Sequence, residues 1–177
     1  ATTEDLNLRL YEPMTDLRGQ DGHYTVVTEN DTYETRKVVV ATGFYDVPNQ
    51  MGVPGEDRDK VRHYFKEPFP YALTDVAVVG GANSAVKAAL NCYRHEANVT
   101  MVVRESELDD GVKYWLRPDV ENRIEEGSID AYFNTTVSAI ESDTLHLDTP
   151  DGPQTIDNDF VLAMTGYRPN YDFLERL

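Results

Sequence analysis

A short glycine-containing segment between a predicted strand and a predicted helix constrains the fold of this chain more than any other feature. The strand is Val76–Val79, the segment is Gly80–Ala85, and the helix is Ser84–Tyr93, which has apolar residues at helical spacing. A second apolar run, Val99–Val103, follows at the spacing of about thirty residues that is typical of a βαβ unit. The order of strand, tight turn, helix and strand predicts a parallel sheet.

The residue types in this turn suit a bound pyrophosphate. In dinucleotide-binding turns a first glycine permits a sharp bend, and a small second residue lets the phosphate approach the backbone. A small third residue lets the helix pack closely on the strand. These positions are Gly80, Ala82 and Ala85 here. The pattern predicts a dinucleotide-binding turn, with a tight βα turn in an unrelated α/β fold as the alternative.

The start of the helix is the second part of this candidate site. Asn83 is a favourable N-cap residue, so we expect it to cap the helix. The N–H groups of Ser84, Ala85 and Val86 would then be available to a phosphate at the positive end of the helix. The candidate cofactor-binding residues of the turn are Gly80, Gly81, Ala82, Asn83, Ser84 and Ala85.

The end of the second strand bears on the choice of cofactor. An arginine at this place pairs with the 2′-phosphate of NADPH, whereas an acidic residue accepts hydrogen bonds from the ribose of NADH. Arg104 comes first and favours NADPH; Glu105 follows it and keeps NADH possible. Lys113 could also reach the 2′-phosphate, and a solvated lysine is the alternative interpretation.

Most of the remaining predicted elements are strands. The β-branched run Lys37–Gly43 is typical of a strand that is buried on both faces, and Asn30–Asp31 predicts a hairpin turn. A second helix is predicted over Pro118–Glu126, with Gly127 just past its end. Further predicted strands are the alternating leucines Leu6, Leu8 and Leu10, then Tyr24–Thr28, Tyr33–Thr35, Ile129–Phe133, Val137–Glu141, Thr144–Leu147 and Phe160–Met164.

The charge of the chain limits its partners. Sixteen Lys and Arg residues stand against 32 Asp and Glu residues, which gives a formal net charge of −16. Such a surface repels nucleic acids and anionic membranes, so neither is an expected partner. No apolar run reaches the ~18 residues that a membrane span needs, and the first residues do not have the pattern of a signal peptide. We therefore expect a cytoplasmic protein.

The cysteine and histidine content argues against two kinds of site. Cys92 is the single cysteine, so the chain cannot form an internal disulfide or a Cys-x-x-Cys redox pair. Its place in the helical pattern predicts a small buried residue. His23, His63, His95 and His146 do not have the spacing of metal ligands, so no metal site is expected.

An aromatic pair, Tyr114–Trp115, follows the acidic loop Asp109–Gly111. Ordinary packing in the core is the expected role of these two rings. Packing against the adenine of a cofactor, or against a nearby loop, is the alternative.

Several of these segments resemble a known family. The resemblance is carried by Ala41-Thr42-Gly43, by Pro48 and Pro54-Gly55, and by the residues from Val78 to Ala85. Together they resemble the two-dinucleotide-domain flavoproteins of the thioredoxin reductase type, a branch of the pyridine nucleotide-disulfide oxidoreductases. Met164–Asn170 resembles the segment by which the chain of those proteins returns to the FAD domain.

Three segments narrow the resemblance to one branch of that family. His63-Tyr64-Phe65, Gly80–Val86 and especially the long segment Val112–Ile124 are similar to those of the bacillithiol-disulfide reductases. True thioredoxin reductases carry a Cys-x-x-Cys motif before the NADPH turn, and residues 56–75 contain no cysteine. The resemblance therefore implies a reductase of the related type and argues against thioredoxin reductase activity itself.

The resemblance implies an α/β fold: a Rossmann-type three-layer dinucleotide-binding domain with a parallel sheet and a β-meander, plus a β-rich remnant of a FAD-binding domain. The implied boundaries are 1–56 for the FAD-domain segment, 57–74 for a linker, 75–163 for the NAD(P)H-binding domain and 164–177 for the return segment. Thr42 and Gly43 would lie close to FAD, and Gly166 would help to shape the approach to the flavin.

The function implied by the resemblance is hydride transfer from NADPH to FAD and onward to a low-molecular-weight disulfide. The glycine motif that binds FAD does not occur in the sequence, so the chain is expected to bind NADPH but to be inactive alone. A homodimer is possible for the full-length form. A ferredoxin–NADP reductase-like flavoprotein and a non-catalytic NAD(P)-sensing module are the alternatives.

Overall fold

The computed structural model describes residues 7–177, and the chain divides into two compact units. One unit contains the described residues up to Val47 together with Arg168–Leu177. The other unit is Pro48–Tyr167. The chain therefore leaves the first unit after Val47 and returns to it at Arg168.

Over the described residues the strands are β1 (Met14–Gln20), β2 (His23–Thr28), β3 (Thr32–Thr35), β4 (Val47–Pro48), β5 (Val61–Arg62), β6 (Asp75–Val79), β7 (Asn98–Val102), β8 (Asp130–Tyr132), β9 (Thr136–Ile140), β10 (Thr144–Thr149), β11 (Gly152–Asp157), β12 (Phe160–Ala163) and β13 (Tyr167–Arg168). The helices are α1 (Asn83–Tyr93), α2 (Arg117–Glu125) and α3 (Tyr171–Leu174), and a 3-10 turn covers Phe69–Tyr71.

The Pro48–Tyr167 unit is built on a five-stranded sheet with the order β5-β12-β6-β7-β8, in which every pairing is parallel. Because successive side chains of a strand point to opposite faces, β6 contributes to two cores. Val76 and Val78 pack with α1, whereas Ala77 and Val79 pack with the antiparallel meander β9-β10-β11. The predicted three-layer arrangement of helices, parallel sheet and meander is confirmed.

Helix α1 packs tightly on the sheet because its inner face is made mostly of small residues. Its buried residues are Ala85, Val86, Ala88, Ala89, Leu90 and Cys92. Alanine has the highest helix propensity and adds no side chain beyond Cβ, so the helix axis can approach the sheet closely. Full burial of a side chain such as Leu90 contributes about 1.5–3 kcal/mol.

The elements predicted after residue 74 occur within one or two residues of their expected bounds, and three short elements were not predicted: β11, β13 and α3. Strand β11 contains Pro153 and, among the described strands, pairs only with β10. Proline is tolerated on such an edge strand because its missing N–H faces away from the ladder. Residues 57–74, predicted as a linker, include β5, which pairs with β12 and gives the parallel sheet its first edge.

The other unit contains the antiparallel sheet β1-β2-β3. The predicted hairpin around Asn30–Asp31 is confirmed by the pairing of β2 with β3. Glu12 supports this sheet by accepting hydrogen bonds from the hydroxyl groups of Thr28 (2.6 Å) and Tyr33 (2.7 Å). These two hydrogen bonds, that of Thr28 first, lower the pKa of the Glu12 carboxyl group.

Two predicted strands of this unit are not formed. The leucine alternation does not make a strand, since Leu8 has no regular structure and Leu10 lies in a turn, while Leu6 lies outside the described residues. The prediction of a doubly buried strand over Lys37–Gly43 is also wrong. Val39 is 87% exposed, and no strand of the described part of the chain pairs with this run. A strand needs neighbours for its backbone hydrogen bonds, and this run has none there.

Candidate dinucleotide-binding site

The turn after β6 requires glycine at its first position. Gly80 has a φ of +133°, and a Cβ atom there would come within 2.7 Å of the Met164 carbonyl oxygen and 3.3 Å of the Ala85 Cβ. Its N–H donates to the Val102 carbonyl oxygen at 2.9 Å, which ties the turn to β7. A side chain would therefore be both strained and obstructed here, and the predicted sharp turn is confirmed.

The second glycine and the alanine of the first helical turn permit close packing. A Cβ on Gly81 would lie 2.8 Å from Val103 Cγ1. Ala85 is fully buried against the turn. These contacts confirm that small residues allow the helix and the strand to pack closely. After Gly80, the next position without room for a side chain is Gly81 and not Ala82. Ala82 is exposed.

The predicted N-cap role of Asn83 is wrong. The helix begins one residue earlier, with Ala82 as its N-cap and with no side-chain capping bond. The Asn83 side chain instead donates from Nδ2 to the Gly111 carbonyl oxygen (2.7 Å) and accepts at Oδ1 from the Lys113 N–H (2.9 Å). Both ends of the amide are therefore used by a loop that lies beside the turn.

The helix start leaves three backbone donors without acceptors. Val86 donates its N–H to the Ala82 carbonyl oxygen (3.0 Å), so its predicted availability is wrong. The N–H groups of Asn83, Ser84 and Ala85 precede the first turn of helical bonding and have no backbone acceptor among the described residues. The first turn of α1 carries no acidic residue. In a chain of net charge −16, this is a local candidate site for an anion.

The loop of residues 109–117 forms one wall of the turn and is firmly anchored. Asp109 donates its N–H to the Gly81 carbonyl oxygen (3.0 Å), in addition to the two bonds of Asn83. Leu108, just before the loop, and Val112 within it are buried in the core. Arg117 closes the far end by donating from Nη2 to the carbonyl oxygens of Leu108 and Asp109. No pattern in the sequence indicates that the Asn83 side chain bonds to this loop.

Three large side chains of this loop lie at the surface. Tyr114 is 83% exposed and Trp115 is 57% exposed, so the expectation that they pack in the core is wrong. Their rings meet edge to face with centroids 4.9 Å apart. The Lys113 Nζ lies 5.2 Å from the centroid of the Trp115 ring, within the range of a cation–π contact. The backbone of Lys113 therefore contacts Asn83, while its charged end lies with the aromatic pair.

Arg104 stands two residues after the end of β7, and its side chain is 80% exposed. Its guanidinium group donates to Glu105 Oε1 from Nε (3.0 Å) and from Nη2 (2.9 Å). Exposed pairs of this kind contribute only about 0–1 kcal/mol. A phosphate could therefore displace the Glu105 carboxylate from Arg104 at little cost.

The predicted return segment is fixed to the outgoing segment of the chain. Thr165 donates its hydroxyl to the Asn49 carbonyl oxygen (2.6 Å), and Asn49 donates its N–H to the Gly166 carbonyl oxygen (3.0 Å). Gly166 has a φ of +87°, a conformation that favours glycine. Thr42 and Gly43 belong to the other unit and are exposed there.

Cys92 is fully buried, as predicted, and burial raises the pKa of its thiol to about 12. Such a thiol is almost entirely protonated near neutral pH and is not a nucleophile. Across residues 7–177 there is no cluster of His, Cys, Asp and Glu side chains able to hold a metal ion. None of the helices in the described residues is both long and apolar enough to cross a membrane.

The parallel sheet, its glycine turn and the free N–H groups at the helix start are the features of a Rossmann-type fold, and comparison with known proteins gives the family of the chain. The family model of the pyridine nucleotide-disulphide oxidoreductases matches residues 1–177, and the chain belongs to this family of oxidoreductases. It is 43% identical to bacilliredoxin reductase Bdr of Bacillus subtilis over 159 residues, which are 89% of this chain and 49% of that protein.

Solved structures agree with this assignment. The structure of bacillithiol disulfide reductase Bdr from Staphylococcus aureus has a TM-score of 0.89 at 38% identity, covering 94% of this chain and 52% of that one. The enzyme of the same name from Bacillus cereus has a TM-score of 0.88 at 40% identity, covering 94% of this chain and 53% of that one. The resemblance found in the sequence is confirmed. The chain spans about half the length of these relatives.

Proposed function

We propose that this chain is the NADPH-binding portion of a flavin-dependent oxidoreductase that reduces a low-molecular-weight disulfide of the bacillithiol disulfide type. The observation that carries the proposal is the turn of Gly80–Ala85, with three unbonded N–H groups at the start of α1. The relatives named as bacilliredoxin and bacillithiol disulfide reductases supply the class of electron acceptor.

The turn binds the pyrophosphate of the cofactor. The absence of side chains at Gly80 and Gly81 lets strand, turn and helix pack closely, and the N–H groups of Asn83, Ser84 and Ala85 donate to phosphate oxygens. The exposed Ala82 presents only a methyl group, so it leaves room for an anion. This donor set suits a pyrophosphate because it supplies hydrogen bonds and a positive helix end without a competing carboxylate.

Arg104 selects NADPH over NADH by pairing with the 2′-phosphate, and Lys113 adds a second positive charge on the neighbouring loop. Within residues 7–177, Arg104 is held only by an exposed pair with Glu105. Replacing Arg104 by alanine should weaken NADPH binding about tenfold and leave NADH binding nearly unchanged, because a hydrogen-bonded charge pair is lost only with NADPH. Equal losses for the two cofactors would remove Arg104 from this role.

When bound, NADPH supplies a hydride, and the balanced reaction converts NADPH, one proton and one disulfide into NADP⁺ and two thiols. This chain's residues bind and orient the cofactor. Cys92 takes no part in thiol exchange, since it is the single cysteine of the chain and its thiol is buried with a pKa of about 12. In this proposal Thr42 and Gly43 lie near the flavin of the full-length protein, and Gly166 shapes the approach to it.

The proposed boundaries remain those of the sequence: 1–56 and 164–177 as FAD-domain segments, 57–74 as a linker, and 75–163 as the NAD(P)H-binding domain. We also propose that the full-length protein forms a homodimer, that it binds FAD, and that this 177-residue chain alone binds NADPH without oxidising it.

The test is NADPH oxidation by the full-length protein with bacillithiol disulfide, with oxidised ferredoxin, and with no acceptor. We expect a yellow protein whose NADPH oxidation is fast only with the disulfide. Fast turnover with ferredoxin alone would instead identify a ferredoxin–NADP reductase. A colourless protein that binds NADPH without oxidising it would favour a sensing module.

A further inference from the structure

We infer that the exposed pair Tyr114–Trp115 packs against the adenine ring of the bound dinucleotide. Asn83 is the positioning residue, since its side chain joins the loop that carries this pair to the phosphate-binding turn. The inference rests on the proposed function and extends it from the pyrophosphate to the adenosine half of the cofactor. It assigns an aromatic surface and a positioning residue to a loop whose role the glycine turn does not define.

The two rings are exposed even though the loop that carries them is held firmly in place. Leu108 and Val112 are buried, and Arg117 fixes the backbone at Leu108 and Asp109 through two hydrogen bonds. Large aromatic side chains contribute most when they are buried, so two neighbouring rings that a fixed loop keeps at the surface indicate a surface used for contact.

The hydrogen bonds of the loop specify which surface this is. Asp109 is bonded to Gly81, and the Asn83 side chain is bonded to both Gly111 and Lys113. The same Asn83 contributes its backbone N–H to the phosphate donors of the turn. The backbone at Lys113, which carries the aromatic pair next to it, therefore lies within one side chain of the N–H groups that we propose bind the phosphates.

The direction of the cofactor brings adenosine to this side. In βαβ dinucleotide sites the adenosine ribose lies at the end of the second strand. That strand is β7, and Arg104 and the 109–117 loop follow it along the chain. The flat π-face of adenine suits an aromatic surface, while Lys113, already over the Trp115 ring, brings positive charge next to the ribose phosphate.

The closing experiment compares binding of three probes to the full-length protein by titration calorimetry. The probes are NADP⁺, adenosine 2′,5′-bisphosphate (the adenosine half) and oxidised nicotinamide mononucleotide (the nicotinamide half). The variants are Trp115→Leu, the conservative Trp115→Phe, and Phe69→Leu as a matched control. Phe69 is also exposed in the same unit, but it lies before β6, at the opposite end of the sheet from the turn.

We expect Trp115→Leu to weaken binding of NADP⁺ and of the bisphosphate about tenfold, the loss typical of one base–aromatic contact. Trp115→Phe should keep most of the affinity, Phe69→Leu should keep all of it, and the mononucleotide should bind every variant equally. Unchanged bisphosphate binding in Trp115→Leu, or an equal loss for the mononucleotide, would overturn the inference alone. A wild-type protein that binds no NADP⁺ would overturn the proposed function with it.

Discussion

Val76–Val79 and Val38–Val40 are short valine-rich runs with opposite structural outcomes. The first forms most of β6, with β12 on one side and β7 on the other, and both Val76 and Val78 are buried. The second has no strand structure, and Val39 is 87% exposed. The difference lies in the neighbours: a strand is stable where adjacent strands take its hydrogen bonds and layers cover its faces.

The same difference in packing distinguishes the two glycines that follow these runs. The turn at Gly80 is braced by β7, by Met164 and by the loop at Asp109. Gly43, three residues after the other run, also has a positive φ of +74°, but a Cβ there would meet no atom of residues 7–177 within 4 Å. Both glycines follow valine-rich runs, and of the two only Gly80 is enclosed by neighbouring atoms of the described residues.

Thiol reactivity gives the largest expected contrast between the two regions. Cys92 is buried behind β6 on α1, and raising its pKa from 9.0 to about 12 lowers its thiolate fraction near neutral pH about a thousandfold. A cysteine placed by Val39→Cys would be exposed and should react with iodoacetamide at an ordinary rate. We expect native Cys92 to react at least about a hundredfold more slowly than the new thiol.

The control is denaturation in urea, which should bring both thiols to the same rate. A native Cys92 that reacts as fast as the Val39→Cys thiol would show that α1 does not pack on the sheet as described.

Substitution of the two glycines should separate packing from backbone preference. Gly80→Ala places a Cβ 2.7 Å from the Met164 carbonyl oxygen at a positive φ, so we expect a loss of about 2–4 kcal/mol in the free energy of unfolding. Gly43→Ala meets no neighbour and should cost no more than about 1–2 kcal/mol. Urea denaturation measures both. Equal losses would show that the clash with Met164 contributes nothing.

Truncation of one valine in each run tests the comparison directly. Val78→Ala removes buried methyl groups from the core and should cost about 2–3 kcal/mol in the free energy of unfolding. Val39→Ala should change it by no more than about 0.5 kcal/mol, as at an ordinary surface position. A loss at Val39 equal to that at Val78 would mean that the Val38–Val40 run is covered in the full-length protein.

Alkaline pH should produce the smallest effect for each step of one pH unit. The folded-state pKa of Cys92, about 12, lies above its usual 9.0, so the stability that depends on the protonated thiol is complete below about pH 9. It is lost as the pH rises from there toward 12, because the unfolded chain releases the proton first. Relative to Cys92→Ala, the wild type should lose up to about 1 kcal/mol per pH unit in this window. Parallel stability curves for the two proteins would contradict the assigned burial of the thiol.

The sequence predicted the elements after residue 74 well because their patterns are local: an apolar strand, a glycine turn and an amphipathic helix each follow from neighbouring residues. It failed where the outcome depended on distant residues. Lys37–Gly43 lacked neighbours, Asn83 bonded to a loop 28 residues further along the chain, and Trp115 stayed exposed on a loop whose anchors are Leu108 and Val112. The turn of Gly80–Ala85 was predictable, whereas the position of the 109–117 loop beside it was not.

The measurement that tests the central claim most directly is NADPH affinity after Ala82→Asp, alongside thermal stability. Ala82 is the N-cap of α1 and makes no side-chain cap, so an aspartate there should bond the free N–H groups and stabilise the helix by about 1 kcal/mol. It also places a negative charge where we propose that the pyrophosphate binds, so affinity should fall at least about tenfold. Ala82→Asn, which caps without the charge, should lose less. A more stable Ala82→Asp protein that binds NADPH much more weakly is the predicted result; one that binds NADPH as tightly as the wild type would contradict the assignment of this turn.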